Sequence, residues 1–335
     1  PPPDCPPDPA FAGQASFDFS TSSWDKDLLD FWRIDEDTAN DRRRLDFDAD
    51  DADGVAVGLW KAGDAPTLAS KKYLLFGKVS VTMRAAVGTG LVTAMVLQSD
   101  SGDEIDWELL GAYPKQAQTN YFFNGQAFYS TYNTSYALGT NTTSDSPHTY
   151  AVEWTESIIR FSINNVVLKT WRRGDIPPAR WPQTPMHIKL GAWSVGNDSD
   201  RGTVVWAGGM PDWSEDPEHG PRRAYFHRVE VLDYAGHCGS VSSSSDGRVE
   251  YQYDERTVGW ENVRIAGCEA RPGGPPLQSP SPVMTTTSTS SAAAPAQGST
   301  QTGQPNEESG GEATRPSWSL VGALMMVVLL APAMR

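Results

Sequence analysis

The sequence DEIDWELLG at residues 103–111 alternates acidic and apolar side chains. Successive side chains on a β-strand point to opposite faces, so Glu104, Asp106 and Glu108 project from one side. The residues between them, of which Trp107 is the largest, project from the other side, where they can anchor the strand in a core. The stretch therefore predicts a strand with an apolar back and an acidic front.

Similar short β-type runs fill the chain from about residue 15 to residue 235 and are separated by Gly, Asn, Asp and Pro. Asn164-Asn165 lies between two of them and predicts a tight hairpin turn. Closely spaced strands with little helical periodicity predict an all-β, antiparallel sandwich or jelly roll. The predicted strands are Val55–Leu59, Gly77–Met83, Leu91–Leu97, Ile105–Leu110, Gln118–Phe123, Thr149–Trp154, Ile158–Ile163, Val166–Trp171, Met186–Trp193, Thr203–Ala207 and Ala224–Leu232.

Composition divides the chain into four regions. Residues 1–14 are an N-terminal segment, residues 15–269 a β-sandwich domain, residues 270–317 a Ser/Thr/Pro-rich stalk and residues 318–335 a hydrophobic tail. The stalk has too little apolar area to offset the entropy of ordering, so we expect it to be disordered. Its Ser, Thr and Pro content also suits O-glycosylation.

The apolar tail is shorter than the ~20 residues that a membrane-spanning helix needs, and Gly322 and Pro332 interrupt it. Small residues at 309–311 and a polar spacer precede it. This order is the signal for a glycosylphosphatidylinositol anchor, attached within residues 306–311, and a short tail anchor is the alternative. We therefore expect a secreted protein that is lipid-anchored at the plasma membrane or the cell wall.

The net charge of -15 argues against a nucleic-acid partner, because such binders present clustered Lys and Arg. The 12 Trp residues indicate either a large core or flat platforms for sugar rings. Of the three cysteines, Cys238 and Cys268 are the preferred disulfide in an extracellular protein, which leaves Cys5 single. Sequons for N-glycosylation occur at Asn133, Asn141 and Asn197.

Three carboxylates on one face of a strand repel each other, so at least one carboxyl pKa should rise. A protonated acid beside an ionised neighbour is what glycoside cleavage requires. We assign Glu104 as nucleophile, Glu108 as general acid and then base, and Asp106 as the residue that tunes the nucleophile. The Cα atoms of Glu104 and Glu108 lie about 13 Å apart in a straight strand. Their carboxyl groups must therefore lean together to reach the ~5–5.5 Å of a retaining glycosidase.

An exposed acidic strand and a metal site are the alternatives to this interpretation. Carboxylates could hold calcium, but nothing near the strand completes a recognisable loop. The acidic run at residues 46–54 also departs from the calcium-loop pattern, since Gly54 falls one place late and Leu59 stands where a Glu is required. The sequence thus predicts no metal and no cofactor.

The acidic strand resembles the Glu-x-Asp-x-Glu signature of glycoside hydrolase family 16, and the chain is more narrowly similar to the Crh-type chitin–glucan transglycosylases of fungal cell walls. The resemblance extends over nearly the whole region predicted to fold. Its further motifs are Cys5–Ala10, Phe76–Val79, Gly88–Val92, Val96–Asp100, Gln118–Phe122, His148–Tyr150, Trp181–Met186 and Trp206–Gly209.

This resemblance implies a β-jelly roll with a concave carbohydrate-binding cleft, retaining chemistry and the transfer of chitin onto β-glucan. A chitin donor and a β-glucan acceptor are then the partners, and we expect a monomer. The chain departs from the family at Leu109, where a larger or aromatic residue is usual, and in lacking a second N-terminal cysteine. A β-glucan or chitin hydrolase and a non-catalytic carbohydrate-binding wall protein remain alternatives.

Six residues are candidates for contact with sugar. Asn120 and Tyr121 follow the acidic strand, three Trp residues could stack on pyranose rings, and Gln98 could bind hydroxyl groups. Core packing or scaffold hydrogen bonding is the alternative for each, and His148 is expected to be structural. The candidates are Gln98, Asn120, Tyr121, Trp154, Trp193 and Trp206.

Overall fold

The computed structural model describes residues 5–20, 30–34, 44–47, 54–127, 133–177, 180–214, 221–238, 248–253 and 259–268. Nineteen strands and one complete short α-helix, α1 (Arg201–Trp206), are assigned within these residues. The strands are β1 (Asp8–Pro9), β2 (Gln14–Asp18), β3 (Trp32–Ile34), β4 (Leu45–Asp46), β5 (Val55–Leu59), β6 (Thr67–Leu74), β7 (Gly77–Arg84), β8 (Leu91–Gln98), β9 (Glu104–Leu110), β10 (Gln116–Phe123), β11 (Gln126–Ala127), β12 (Thr134–Ala137), β13 (His148–Trp154), β14 (Ile158–Ile163), β15 (Val166–Arg172), β16 (Met186–Ser194), β17 (Arg222–Asp233), β18 (Glu250–Gln252) and β19 (Arg264–Ala266).

Two eight-stranded antiparallel sheets form the sandwich. The front sheet has the order β11-β10-β9-β8-β16-β6-β3, with β12 also paired to β10. The back sheet has the order β15-β14-β13-β7-β17-β5-β4, with β2 also paired to β17. The acidic strand β9 therefore lies inside the front sheet, with a paired neighbour on each side. This architecture confirms the predicted all-β jelly-roll sandwich.

The core lies between the two sheets and is built by alternation along each strand. In β7, for example, Val79, Val81 and Met83 are buried while the residues between them are partly exposed. The front sheet contributes Ile105, Trp107 and other apolar residues to the same continuous core. Period-2 patterning thus decides which face of each strand becomes the inside.

The Asn164-Asn165 turn has the predicted conformation. Both residues have positive φ, 49° and 66°, as a two-residue hairpin turn that matches strand twist requires. Ile163 pairs with Val166 across it, at the junction of β14 and β15. The turn fixes the register of this hairpin.

The predicted strand Thr203–Ala207 is wrong, because these residues lie in and directly after α1. The Asp200 carboxylate accepts hydrogen bonds from the backbone N–H groups of Gly202 and Thr203 and from the Thr203 hydroxyl. This N-cap satisfies donors that a strand would have paired with a neighbour. Local capping outweighed the β-type composition of the segment.

A small third sheet joins the two ends of the folded region, with the order β1-β18-β19. The N-terminal segment therefore contributes a strand to the domain. The buried Asp233 carboxylate accepts hydrogen bonds from the Tyr251 hydroxyl on β18 and from the backbone N–H of Ala12. Cys238 and Cys268 form a disulfide close to this sheet, and Cys5 is a free cysteine.

The predicted stalk and hydrophobic tail, residues 270–335, lie outside the described residues. Among the residues that are described, no helix is both long enough and apolar enough to cross a membrane. The lipid anchor therefore stays a prediction from the sequence.

Gly111 ends the acidic strand at a point of close backbone approach. A Cβ atom at this position would lie 2.6 Å from the carbonyl oxygens of both Ala86 and Gly88. We expect Gly111→Ala to destabilise the domain by about 1–3 kcal/mol, since backbone atoms cannot move aside as a side chain can. Thermal unfolding should show a loss of about 2–4 °C per kcal/mol.

Gly174→Ala is the matched control, because a Cβ at Gly174 would meet nothing within 4 Å. An equal melting temperature for the wild type and Gly111→Ala would contradict the close-approach argument.

Candidate active site

Strand β9 places the three acids in successive rows across the front sheet. Glu108 lies between Gln118 of β10 and Ala94 of β8. Asp106 lies between Asn120 and Val96, and Glu104 lies between Phe122 and Gln98. The acids thus face the same side of the sheet, as the alternation predicts.

The opposite face of β9 is held firmly in the core. Ile105, Trp107 and Leu109 are each 0% exposed. The Trp107 indole N–H donates to the carbonyl oxygen of Ala151 in the back sheet at 3.1 Å, and its ring packs edge-on against Tyr150. These contacts join the acidic strand to the second layer of the sandwich.

The start of β9 is fixed by Asp103, a buried carboxylate. Its Oδ2 accepts hydrogen bonds from the backbone N–H groups of Gln183 (2.8 Å) and Thr184 (3.1 Å) and from the Thr184 hydroxyl (2.7 Å). Its Oδ1 accepts from the backbone N–H of Asn124 at 2.9 Å. Asp103 therefore ties the residue before Glu104 to two neighbouring loops.

Burial dominates the electrostatics of the three acids. It raises the pKa of Glu104 to about 7, and it raises the pKa of Glu108 to about 8 with a further contribution from the charge of Glu104. Burial and both neighbouring glutamates raise the pKa of Asp106 well above its ordinary value. At least one of these carboxyl groups is therefore protonated at neutral pH.

Glu104 and Glu108 differ in their hydrogen-bond partners. The Gln98 amide Nε2 donates to Glu104 Oε2 at 2.6 Å, and this bond opposes the rise in the Glu104 pKa. The charge of Lys189 opposes it as well. Glu108 has no hydrogen-bond or ion-pair partner within the described part of the chain. The environment therefore favours an ionised Glu104 beside a protonated Glu108.

One pocket opens between the two glutamates and β16. Small side chains make room there, because Ala94 and Gly191 occupy the row of Glu108 where larger residues would fill the space. A sugar ring entering this pocket would meet both carboxyl groups. Its lining residues are Thr67, Ala94, Val96, Glu104, Glu108, Lys189, Gly191, Ala192 and Trp193.

Two of the predicted sugar contacts lie in the core instead. Tyr121 and Trp154 are each 0% exposed. Tyr121 shares the inward face of β10 and packs near Trp181, and the Trp154 indole N–H donates to the carbonyl oxygen of Pro182 at 3.0 Å. Strand alternation explains the correction for Tyr121, since its neighbour Asn120 occupies the outward position.

Gln98 lies at the site, but both ends of its amide are already engaged. Its nitrogen binds Glu104 and its oxygen accepts from Lys189 Nζ at 2.8 Å. Asn120 is also at the site, where its backbone N–H donates to Asp106 Oδ1 at 2.9 Å. The buried Asn120 Oδ1 has no hydrogen-bond partner among the described residues. It is therefore a better candidate than Gln98 for a sugar hydroxyl.

Trp193 and Trp206 form a stacked pair next to the pocket. Their ring centroids are 6.0 Å apart and their planes differ by 19°. The Trp206 indole N–H donates to Gln118 Oε1 at 2.9 Å, and Gln118 pairs with Glu108 across the strands. The pair thus presents partly exposed aromatic surface beside the proposed general acid.

His148 has the contacts of a structural residue. Its Nε2 lies 3.1 Å from the carbonyl oxygen of Thr142, and its Nδ1 lies 3.0 Å from the Asn164 side-chain nitrogen. These bonds attach the start of β13 to the β14–β15 hairpin turn.

Sequence reasoning missed three residues that shape the site: Asp103, Gln118 and Lys189. Of the three, Lys189 was the easiest to predict. It lies two residues before Gly191 and four before Trp193 in β16, so these residues share one face. The role of Asp103 depends on a loop about 80 residues away in sequence, which no local pattern indicates.

Glu108→Gln should stabilise the fold at high pH. Burial raises the folded-state pKa of Glu108, so the protonated side chain favours the folded state. This contribution to stability is complete below the unfolded pKa of 4.5 and is lost as pH rises through about 8. We expect the variant to melt at least about 2–4 °C above wild type at pH 9 and to lose that advantage at pH 4. Glu230→Gln, at an exposed site in the back sheet, is the control, and an advantage for Glu108→Gln that is equal at both pH values would contradict the prediction.

Comparisons with known proteins agree with this geometry. Residues 23–208 match the profile of Glycosyl hydrolases family 16. Crh-like protein 5 of Aspergillus fumigatus is 36% identical over 216 residues, which are 64% of this chain and 50% of that protein. The chain spans about half the length of the curated relatives it matches.

Solved structures give the same result. A structure described as Crh5 transglycosylase in complex with NAG matches with a TM-score of 0.64 and 31% identity, covering 78% of this chain and 96% of that one. A Bacillus licheniformis β-glucanase, at 20% identity and a TM-score of 0.53, covers 67% of this chain and 99% of that one and supports the fold alone. Together with the acidic strand, these matches show that the chain belongs to family 16 of the glycosyl hydrolases, among its Crh-like proteins.

Proposed function

We propose that this protein is a retaining transglycosylase that cleaves chitin and transfers it onto β-glucan through a covalent glycosyl-enzyme intermediate. The observation that carries the proposal is the difference between Glu104 and Glu108, which border one pocket. Glu104 accepts a hydrogen bond from Gln98, whereas burial and the charge of Glu104 keep Glu108 protonated. A nucleophile and an acid are therefore present together.

In the first step, Glu104 attacks the anomeric carbon of the donor sugar and forms a carbon–oxygen ester bond. The glycosidic carbon–oxygen bond breaks, and the departing oxygen takes the proton of Glu108. Glu108 is left ionised and Glu104 is neutral as an ester. Once the ester has formed, Glu104 no longer carries the charge that raises the Glu108 pKa, so this pKa falls and the ionised Glu108 can act as a base in the second step.

In the second step, the ionised Glu108 removes a proton from the hydroxyl of an acceptor sugar. The acceptor oxygen bonds to the anomeric carbon and the ester bond breaks, which returns its electron pair to the Glu104 carboxylate. Both steps invert the anomeric centre, so the product keeps the donor configuration. Water in place of the acceptor would give hydrolysis.

Asp106 lies between the two glutamates and is the tuning residue in this scheme. Burial and both glutamates raise its pKa well above the ordinary value, which favours the protonated form, and in that form it can donate a hydrogen bond rather than add a negative charge. The backbone N–H of Asn120 holds its other oxygen. The unpartnered Asn120 Oδ1 is proposed to accept a hydroxyl of the bound sugar.

Transfer needs a place for the acceptor, and the Trp193–Trp206 pair is the proposed platform. Flat aromatic surface stacks on the apolar face of a pyranose and holds its hydroxyl in near-attack geometry. Trp193 lines the same pocket as both glutamates. This placement favours transfer over the alternative of a plain hydrolase, and the paired glutamates argue against a non-catalytic binding protein.

We propose an extracellular location at the cell wall, where the donor and the acceptor polysaccharides occur. The three sequon residues Asn133, Asn141 and Asn197 are all exposed, as glycan attachment requires. Anchoring of the chain by lipid and a monomeric state belong to the same proposal and rest on the sequence.

The proposed roles predict distinct outcomes for the two glutamates. Glu104→Gln should abolish transfer of labelled chitin oligosaccharide to a laminarin-type acceptor. Glu108→Gln should depress transfer by at least about 100-fold, and least with donors that carry good leaving groups, because these need no acid. Both variants must remain folded by circular dichroism. Wild-type transfer by both variants would overturn the assignment.

Azide and product stereochemistry separate the roles further. With an activated β-linked donor, azide should rescue Glu104→Ala to give the α-glycosyl azide, because it attacks once from the vacant face. It should rescue Glu108→Ala to give the β-glycosyl azide, because the covalent intermediate still forms. The reverse pattern of anomers would exchange the two roles.

Trp193→Ala should shift the products from transfer towards hydrolysis. Loss of the stacking surface weakens acceptor binding by about 1–1.5 kcal/mol, or roughly tenfold in the ratio of transfer to hydrolysis, while donor cleavage is much less affected. Trp193→Phe keeps a flat ring and is the matched control. Chromatography of transfer and hydrolysis products over a range of acceptor concentrations measures the ratio, and an unchanged ratio would remove Trp193 from the acceptor platform.

A further inference from the structure

A chain of two hydrogen bonds connects β16 to the proposed nucleophile. Lys189 Nζ donates to Gln98 Oε1 at 2.8 Å, and Gln98 Nε2 donates to Glu104 Oε2 at 2.6 Å. Lys189 belongs to β16, Gln98 to β8 and Glu104 to β9, and the three strands are adjacent in the front sheet. The chain therefore crosses the sheet on its acidic face.

The chemistry of the two end groups fixes the orientation of the amide between them. A lysine ammonium group only donates hydrogen bonds, so it must face the oxygen of the Gln98 amide. The amide nitrogen is then turned to Glu104, where it can only donate. An amide flipped by 180° would place its oxygen against a carboxylate and its nitrogen against an ammonium group, and both contacts would be repulsive.

We propose that Lys189 is a positioning residue that acts through Gln98, holding one oxygen of the Glu104 carboxylate and leaving the other, Oε1, free to attack the anomeric carbon. This inference rests on the nucleophile role proposed for Glu104. It assigns a role to a pocket-lining residue that takes no part in the two bond-changing steps.

The electrostatics of the neighbourhood agree with this role. On the acidic face of the strands packed around Glu104, the titratable groups are Asp106 and Glu108 on β9 and His187 and Lys189 on β16. The acids disfavour an ionised Glu104, and His187 is neutral because burial lowers its pKa to about 3. Lys189 is therefore the cation among these groups that lowers the Glu104 pKa.

The same hydrogen bond serves the second step. When the acceptor displaces Glu104, negative charge returns to the carboxylate, and the Gln98 N–H is already directed at one of its oxygens. A donor fixed in advance stabilises that charge without reorganisation. Lys189 supplies this pre-organisation by preventing the amide from turning.

Lys189→Met should raise the pKa of Glu104, because the Gln98 amide can then turn so that its oxygen accepts a hydrogen bond from the protonated Glu104 carboxyl. The acid limb of the pH dependence of kcat/KM should move to higher pH by about one unit. Activity on that limb should fall about tenfold, with a smaller loss above it. Lys189→Arg, which also only donates hydrogen bonds, should restore most of the wild-type profile.

Lys115→Met is the matched control, because Lys115 is an exposed lysine in the turn after β9. It removes the same charge and should leave the acid limb in place. Gln98→Leu should shift the limb as Lys189→Met does. The double variant Lys189→Met/Gln98→Leu should show little further shift, because Lys189 acts through the amide.

The pKa of Glu104 can be measured without turnover by carboxyl 13C NMR titration of the unliganded protein. A Glu108→Gln background simplifies the coupled titration, and Glu104→Gln assigns the signal. Suppose that Lys189→Met raises the Glu104 pKa but the wild-type protein shows no transferase activity. That result would support the positioning role and reject the proposed function. An unchanged pKa and acid limb, or additive effects of Lys189→Met and Gln98→Leu, would overturn the inference.

Discussion

The site depends on the burial of the apolar side of β9. Trp107 and its two neighbours on that side are fully enclosed, and the Trp107 indole N–H reaches the back sheet. This packing fixes the strand inside the sheet, and strand alternation then leaves the acids no other face to occupy. Three carboxyl groups at one face would separate if the strand could twist or slip. The sandwich core prevents both movements.

Burial raises the pKa values of the three acids more than their mutual repulsion does. Burial is the first cause of the raised pKa of each acid, and repulsion from neighbouring acids adds to it for Asp106 and Glu108. Glu104 is distinguished from Glu108 by one amide donor and one nearby cation. This difference in hydrogen bonding favours opposite protonation states in the two glutamates, and Lys189 and Gln98 provide it.

Much of the fold and the centre of the site could be predicted from the sequence. Short β-type runs bounded by turn residues predicted ten of the eleven proposed strands, and period-2 alternation placed Glu104, Asp106 and Glu108 on one face, since both signals are local. Alternation also predicts that Tyr121 is not a sugar contact, because its neighbour Asn120 lies on the face of the acids and Tyr121 must point the other way. The burial of Trp154 and the role of Asp103 depend on which distant segments meet, and one sequence does not contain that information.

The six-residue helix α1 has a consequence for how the protein can change. Trp206 sits on this capped helix, outside the ladder of the front sheet, whereas Glu104 and Glu108 lie within it. Residues inserted or lost around the helix would move the proposed aromatic platform without shifting the register of the acidic strand. Under the proposed mechanism, acceptor preference can therefore change while the pair of glutamates stays the same.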